Sequence, residues 1–190
     1  MQTRRQRDFI SAWIAVVAAV SIVSWLEPGI GSWFALSPER VWHGQVWRLV
    51  TWAIVAGSPM GLVLSCAGIY KFGGELIVRW GPRRLRRFVL ELVVAVAVAT
   101  CLIAAVAGAG WMERFGSWAV SEALVIAWAR QFPFARLQLY GMIVVSGQRL
   151  VVVTCAVALL YALYGGVVAG APELLACGFA ALYPDGWLRR

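Results

Sequence analysis

A chain of 190 residues in which 62% are hydrophobic and only 14% are charged has too few polar side chains to cover a water-soluble globule. Its mean hydropathy of +0.77 is typical of a protein that lies in a membrane. The net charge of +8 comes from basic residues that lie between apolar stretches, where they report membrane topology and not nucleic-acid binding.

Six apolar stretches approach the length of about 20 residues that an α-helix needs to cross a hydrocarbon core of roughly 30 Å. We therefore predict an all-α, polytopic membrane protein with a single domain over residues 1–190. The predicted spans are 9–26, 49–70, 88–108, 116–132, 149–165 and 167–183. The last two are short and joined by GGVVAGAP, so five spans are the alternative. The first ends in WLEPG without a small-residue cleavage site, so we interpret it as a span and not as a signal peptide.

The basic residues are distributed unevenly between the two sides that six spans define. Only Arg40, Arg48 and Arg114 fall on one side, and the other 14 of the 17 fall on the opposite side, Arg189 and Arg190 among them. Because basic loops stay in the cytoplasm, this predicts that both termini are cytoplasmic. We expect a multi-pass protein of a bacterial-type inner (plasma) membrane.

The loop between the first two spans is long and rich in aromatic residues, with Trp33, Phe34, Trp42 and Trp47. Indole rings favour the boundary between membrane and water, so we expect this loop to lie partly in that boundary. It ends in the pair Trp47 and Arg48.

A dense arginine cluster follows the second predicted span. It consists of Arg79, Arg83, Arg84, Arg86 and Arg87. Such a cluster retains its loop in the cytoplasm and attracts anionic lipid head groups by about 1 kcal/mol per basic residue.

Small residues recur every four positions in three of the predicted spans, which allows helices to approach closely. They are Gly57, Gly61 and Ser65 in the second span, Ala119, Ala123 and Ala127 in the fourth, and Gly166 and Gly170 at the start of the sixth. We therefore predict that these three spans form the centre of the bundle.

Groups for catalysis or metal binding are scarce. The only histidine, His43, lies in the outer loop, and the only lysine, Lys71, lies near the other end of the second span. An H-E-x-x-H zinc site is therefore excluded, and no serine has an evident base. The four cysteines lack C-x-x-C spacing, and we interpret them as buried apolar residues. We predict no metal, no cofactor and no nucleic-acid partner.

Glu122 is an acid within the fourth predicted span, where a carboxylate is costly, by about 2.5–3.5 kcal/mol. It follows Trp118 by one turn on the same helix face. One interpretation is a polar anchor for a partner, or a proton-accessible group that faces a water-filled cavity. The alternative is a neutral carboxyl that is hydrogen-bonded within the bundle, to Ser65 or Arg48.

Two long stretches, HGQVWRLVTWAIVAGS and GIYKFGGELIVRWGPRRLRRFVL, resemble the rhomboid intramembrane serine proteases. GSWAVSEALVIAWARQFPFARLQL and CGFAALYPDGWLRR extend the resemblance. It implies a six-helix bundle with a water-filled cavity, a serine nucleophile in a G-x-S-G motif on the fourth span and a histidine base on the sixth. It also implies two histidines and an asparagine on the second span.

None of those catalytic groups stands at the corresponding positions of this sequence. Trp118 takes the nucleophile position, and the base position falls near Ala171. Ser117 is rotated from the nucleophile face by about 100°. The second-span positions fall on Ala56, Gly61 and Ser65. The remaining positions expected to matter for structure or partners are Trp47, Arg48, Glu122, Gly57, Gly116 and Gly178.

The leading hypothesis is a rhomboid-like pseudoprotease, not an enzyme, that binds transmembrane segments or a membrane complex without cleaving them. Its partners would be membrane lipids and transmembrane helices of other proteins. The first alternative is a structural accessory subunit of a larger respiratory or photosynthetic assembly. The second is an active endopeptidase with a displaced nucleophile.

Overall fold

The protein is seen in a computed structural model that describes residues 2–139 and 143–184. The helices of this part are α1 (Gln2–Leu26), α2 (Pro28–Phe34), α3 (Pro38–Trp42), α4 (Arg48–Thr51), α5 (Pro59–Gly68), α6 (Gly74–Trp80), α7 (Pro82–Val106), α8 (Ser117–Gln131), α9 (Gly147–Gly165) and α10 (Ala171–Leu182). The predicted helical class is confirmed. The one addition is a short antiparallel pair of strands, β1 (Arg136–Leu139) and β2 (Ile143–Ser146).

Four helical segments in the described residues are long and apolar enough to cross a membrane: Asp8–Leu26, Pro59–Trp80, Pro82–Val106 and Gly147–Gly165. This agrees with a polytopic membrane protein. Helices α8 and α10 have only 15 and 12 residues. At 1.5 Å per residue they reach about 22 and 18 Å, less than a full hydrocarbon core. Six complete spans therefore stay a prediction.

The second span was placed about ten residues too early. It was predicted over 49–70, but the continuous helix begins at Pro59 and runs through a π-helical turn, Ile69–Gly73, to Trp80. Proline lacks an N–H and starts a helix more readily than it continues one. The Ser58 hydroxyl accepts a hydrogen bond from the Gly61 N–H at 3.1 Å and caps this start.

The boundaries of two other predicted spans also move. Helix α7 begins at Pro82 and not at 88, because proline suits a first helical position and Gly81 supplies the turn before it with φ +79°. Gly166, with φ +91°, ends α9, and α10 begins at Ala171 and not at 167. The glycines therefore separate two helices, as the prediction of six segments required.

Helix α8 lies at the centre of the described bundle and packs against α5, α9 and α10. The side chains of Ala119, Ala123 and Ala127 are buried. A Cβ added to Gly170 would lie 2.5 Å from the Cα of Ala162, so α10 begins in close contact with α9. These small residues allow the close approach that was predicted for the fourth and sixth spans.

Residues 27–58 and 107–116 fold together into a cap at one end of α7. The Leu36 and Arg114 backbones pair, the Glu39 N–H donates to the Gly110 carbonyl at 3.1 Å, and Arg40 forms an ion pair with Glu113 at 3.4 Å. The predicted grouping of Arg40, Arg48 and Arg114 at one end is confirmed. The five-arginine cluster lies at the opposite end of α7. Arg189 and Arg190 lie outside the described residues.

Candidate functional site

The prediction of a small-residue face on the second span is partly wrong. Gly57 precedes the helix, because the chain is not helical before Pro59, and it contacts the Phe115 ring of the cap instead. Ser65 and Gly68 form the actual contact with α8. The Ser65 and Ser117 hydroxyls lie 3.2 Å apart, and a Cβ on Gly68 would clash with Ser121 Oγ.

The predicted hydrogen-bond partners of Glu122 are wrong. Glu122 is 3% exposed, yet neither of its carboxyl oxygens has a hydrogen-bond partner among the described residues. Ser65 pairs with Ser117, and Arg48 points into the cap. Glu122 is close enough to the Trp118 indole and to Glu173 to interact with them electrostatically, without a hydrogen bond of good geometry.

Arg48 is 1% exposed and is the central side chain of the cap. Its Nη1 donates to the Ala35 carbonyl at 2.6 Å and to the Ser32 carbonyl, and its Nε donates to Gln45 Oε1 at 2.6 Å. Burial lowers the pKa of Arg48, the neighbouring Arg40 lowers it further, and Glu113 opposes both effects. Arg48 therefore ties the loop before α3 to the start of α4.

Two other predicted positions of the cap have clear neighbours. The Trp47 ring is stacked on Trp33 at 6.1 Å, and both indoles are exposed. Gly116 lies against the Trp52 ring, where a Cβ would overlap the ring carbons. Trp47, Arg48, Gly57 and Gly116 thus lie together in the cap, and the placement of its exposed tryptophans in the membrane boundary stays a prediction.

The structure places the single histidine and lysine of the chain, and the positions that the resemblance assigned to catalysis, as follows. His43 lies in the cap, with Nδ1 2.7 Å from the Glu39 carbonyl oxygen. Lys71 pairs with Glu75 at 2.6 Å. Ala56 is buried at the end of the cap, and its N–H donates to Ser21 Oγ at 2.9 Å. Ala171 starts α10, and Trp118 is half-buried on α8.

A lateral groove with a volume of about 800 Å³ lies between α7 and α10. Its lining is almost entirely apolar. It is formed by Leu90, Glu91, Val94, Ala95, Phe179, Leu182, Tyr183 and Pro184. Gly178 precedes Leu182 by one turn on the same face of α10. A Cβ added to Gly178 would have no atom from another part of the chain within 4 Å.

Three polar side chains meet at the rim of this groove. Glu91 accepts a hydrogen bond from Arg87 Nε at 2.6 Å and another from the Tyr183 hydroxyl at 2.7 Å. The i, i+4 spacing of Arg87 and Glu91 was visible in the sequence. The contact with Tyr183, 92 residues later, had no local signal.

A second concavity of about 500 Å³ surrounds the turn between α6 and α7. It is lined by Arg79, Trp80, Gly81, Pro82, Arg83 and Arg84. Three of the five arginines predicted to contact lipid head groups therefore share one pocket.

A protein-family model described as "Eukaryotic integral membrane protein (DUF1751)" matches residues 10–183 of this chain. No curated protein matches it. The family is a different one from the rhomboids, so the resemblance drawn from the sequence is wrong as a family assignment. Its motifs, an aromatic–arginine pair and small residues before a basic loop, are ones that membrane topology and helix packing favour in general. The description as eukaryotic also leaves a bacterial-type membrane without support.

Proposed function

We propose, from the premise that this chain belongs to the Eukaryotic integral membrane protein family (DUF1751), that it binds a transmembrane helix of another membrane protein without cleaving it. The observation that carries this proposal is the apolar groove between α7 and α10, with the Glu91 carboxylate at its rim. By the distribution of basic residues, the end of the bundle that carries Arg79–Arg87 faces the cytoplasm.

The lining of the groove is suited to contact with a helix. Helices associate in lipid by close packing at small residues and by hydrogen bonds to polar side chains. Ala95 in the lining and Gly178 beside it allow a partner backbone to approach. Each oxygen of Glu91 already accepts one hydrogen bond, and carboxylate oxygens have capacity for a further one.

A binding role also agrees with the contacts of the polar side chains, which are engaged with each other or with the backbone. The Ser65 and Ser117 hydroxyls bind each other, and the His43 imidazole is engaged with a backbone carbonyl in the cap. A serine needs a base within about 3.2 Å to act as a nucleophile. The arrangement therefore favours recognition over peptide-bond hydrolysis.

The test is site-specific photo-crosslinking of the full chain in its native membrane. A photoreactive amino acid at Leu182, in the groove, is compared with one at Leu160, on the exposed face of α9. We expect the Leu182 probe to attach to a transmembrane segment of a partner, identified by mass spectrometry of the linked peptides. The Leu160 probe should attach to lipid.

A matched pair of variants decides whether the groove holds that partner. Gly178→Leu adds a side chain into open space beside the groove, and Gly74→Leu does so on α6, away from it. We expect Gly178→Leu to reduce the Leu182 crosslink at least tenfold and Gly74→Leu to leave it unchanged. Equal losses in the two variants, or lipid adducts alone at Leu182, would contradict the proposal. A crosslinked partner that also co-purifies in fixed stoichiometry would indicate a permanent subunit.

A further inference from the structure

The pocket around the turn between α6 and α7 is separate from the α7–α10 groove, and we call it the arginine pocket. Gly81 makes the turn with φ +79°, and Pro82 begins α7 immediately after it. Arg79 comes from the last turn of α6, and Arg83 and Arg84 come from the first turn of α7. A short turn between two helices therefore brings three guanidinium groups around one concavity of about 500 Å³.

The five arginines of this region divide into two groups by their contacts. Arg86 Nε donates to the Pro82 carbonyl at 3.3 Å, and Arg87 is bound to Glu91. Arg79, Arg83 and Arg84 are exposed and make no hydrogen bond or ion pair with any residue that the structure describes. The three arginines that line the pocket are thus the ones whose donors are available to a ligand.

The nearest acidic residues along the chain are already engaged elsewhere. Glu75 binds Lys71 at 2.6 Å and accepts a hydrogen bond from the Trp128 indole at 2.6 Å, and Glu91 binds Arg87 and Tyr183. The first turn of α7 contains no acidic residue and no side-chain cap. Its free backbone N–H groups add to the positive potential of the pocket. Arg79, Arg83 and Arg84 therefore have no ion-pair partner among the described residues.

The position of the pocket defines the kind of anion. The turn joins two candidate membrane-spanning segments, Pro59–Trp80 and Pro82–Val106, so it lies at a membrane surface. The Val78 side chain, next to Arg79, is exposed and apolar and would face the acyl region. Guanidinium groups bind phosphate oxygens in bidentate geometry. We infer that the arginine pocket binds the phosphate of an anionic phospholipid through Arg79, Arg83 and Arg84.

The test is a lipid titration of the detergent-purified full chain, followed by native mass spectrometry. The ligand is phosphatidylserine, with phosphatidylcholine and inorganic phosphate as comparisons. The double variant Arg83→Gln/Arg84→Gln removes two pocket arginines, and Arg86→Gln/Arg87→Gln removes the same charge from the same helix outside the pocket. Thermal unfolding in detergent establishes that both variants are folded.

We expect Arg83→Gln/Arg84→Gln to weaken phosphatidylserine binding about 30-fold, because each substitution removes a charge-assisted contact with the phosphate. Arg86→Gln/Arg87→Gln should weaken it by less than threefold. Equal losses in the two variants would overturn the pocket in favour of a diffuse basic surface. Phosphatidylcholine binding as tight as that of phosphatidylserine, or displacement of the lipid by inorganic phosphate at equal concentration, would overturn the assignment to an anionic lipid.

Discussion

The two ends of α7 use arginine in opposite ways. In the cap, Arg48 is buried and its donors are bound to two backbone carbonyls and to Gln45. In the arginine pocket, Arg83 and Arg84 are exposed and have no partner among the described residues. Residue type alone does not separate these cases. Burial and the supply of acceptors decide whether an arginine stabilises the fold or is available to a ligand.

The largest effect should come from removing the buried arginine. Arg48→Gln would leave the Ala35 carbonyl without its donor, and the Ser32 carbonyl would keep only the longer bond from Arg40 Nη1 at 3.4 Å. Hydrogen bonds to charged groups contribute about 1.5–3 kcal/mol each, so we expect the free energy of unfolding to fall by about 3 kcal/mol or more. Thermal or denaturant unfolding in detergent measures the change.

The matched control for this prediction is Arg40→Gln in the same cap. Arg40 forms an exposed ion pair with Glu113 at 3.4 Å, and such pairs contribute about 0–1 kcal/mol. A loss of stability for Arg40→Gln as large as that for Arg48→Gln would show that net charge, and not the buried contacts, holds the cap together.

The same comparison extends to two glycines. A Cβ on Gly116 would overlap the Trp52 ring in the cap, whereas one on Gly74, in α6, would meet open space. We expect Gly116→Ala to destabilise the protein by about 1–3 kcal/mol through overpacking. Gly74→Ala should stabilise it by up to about 1 kcal/mol, because alanine is the better helix former. Unfolding in detergent distinguishes the signs, and a neutral Gly116→Ala would mean that the cap is packed less tightly than the Trp52 contact indicates.

The existence of the long helices was predictable from the sequence, but the start of the second span and the fold of the cap were not. Hydrophobic length alone located α1 and α9, and the recurring alanines located α8 at the centre. The stretch from Trp47 to Ala56 is as apolar as a span, yet it folds into short turns around Arg48 because the continuous helix starts at Pro59. Hydropathy reports burial and does not distinguish burial in protein from burial in lipid.

The contacts that define the groove and the core were beyond the reach of local patterns. Glu91 and Tyr183 are 92 residues apart, and Ser65 and Ser117 are 52 apart. Neither pair shares a spacing that a helix or strand would impose. For Glu122, the sequence showed that an acid lies within an apolar helix. It did not show that this carboxyl lacks a hydrogen-bond partner among the described residues. Pairings between distant helices are set by packing, which one sequence does not display.

The smallest effect on stability is expected in the arginine pocket. Its measurement tests the comparison between the two ends of α7 most directly. Arg84→Gln removes an exposed side chain without a described partner, so the free energy of unfolding in lipid-free detergent should change by no more than about 0.5 kcal/mol. With phosphatidylserine added, the wild-type chain should unfold at a higher temperature, because a ligand that binds only the folded state stabilises it. The variant should lose most of that increase. If Arg84→Gln destabilised the lipid-free protein as strongly as Arg48→Gln, the pocket arginine would be a structural residue, and the contrast between the two ends of α7 would be lost.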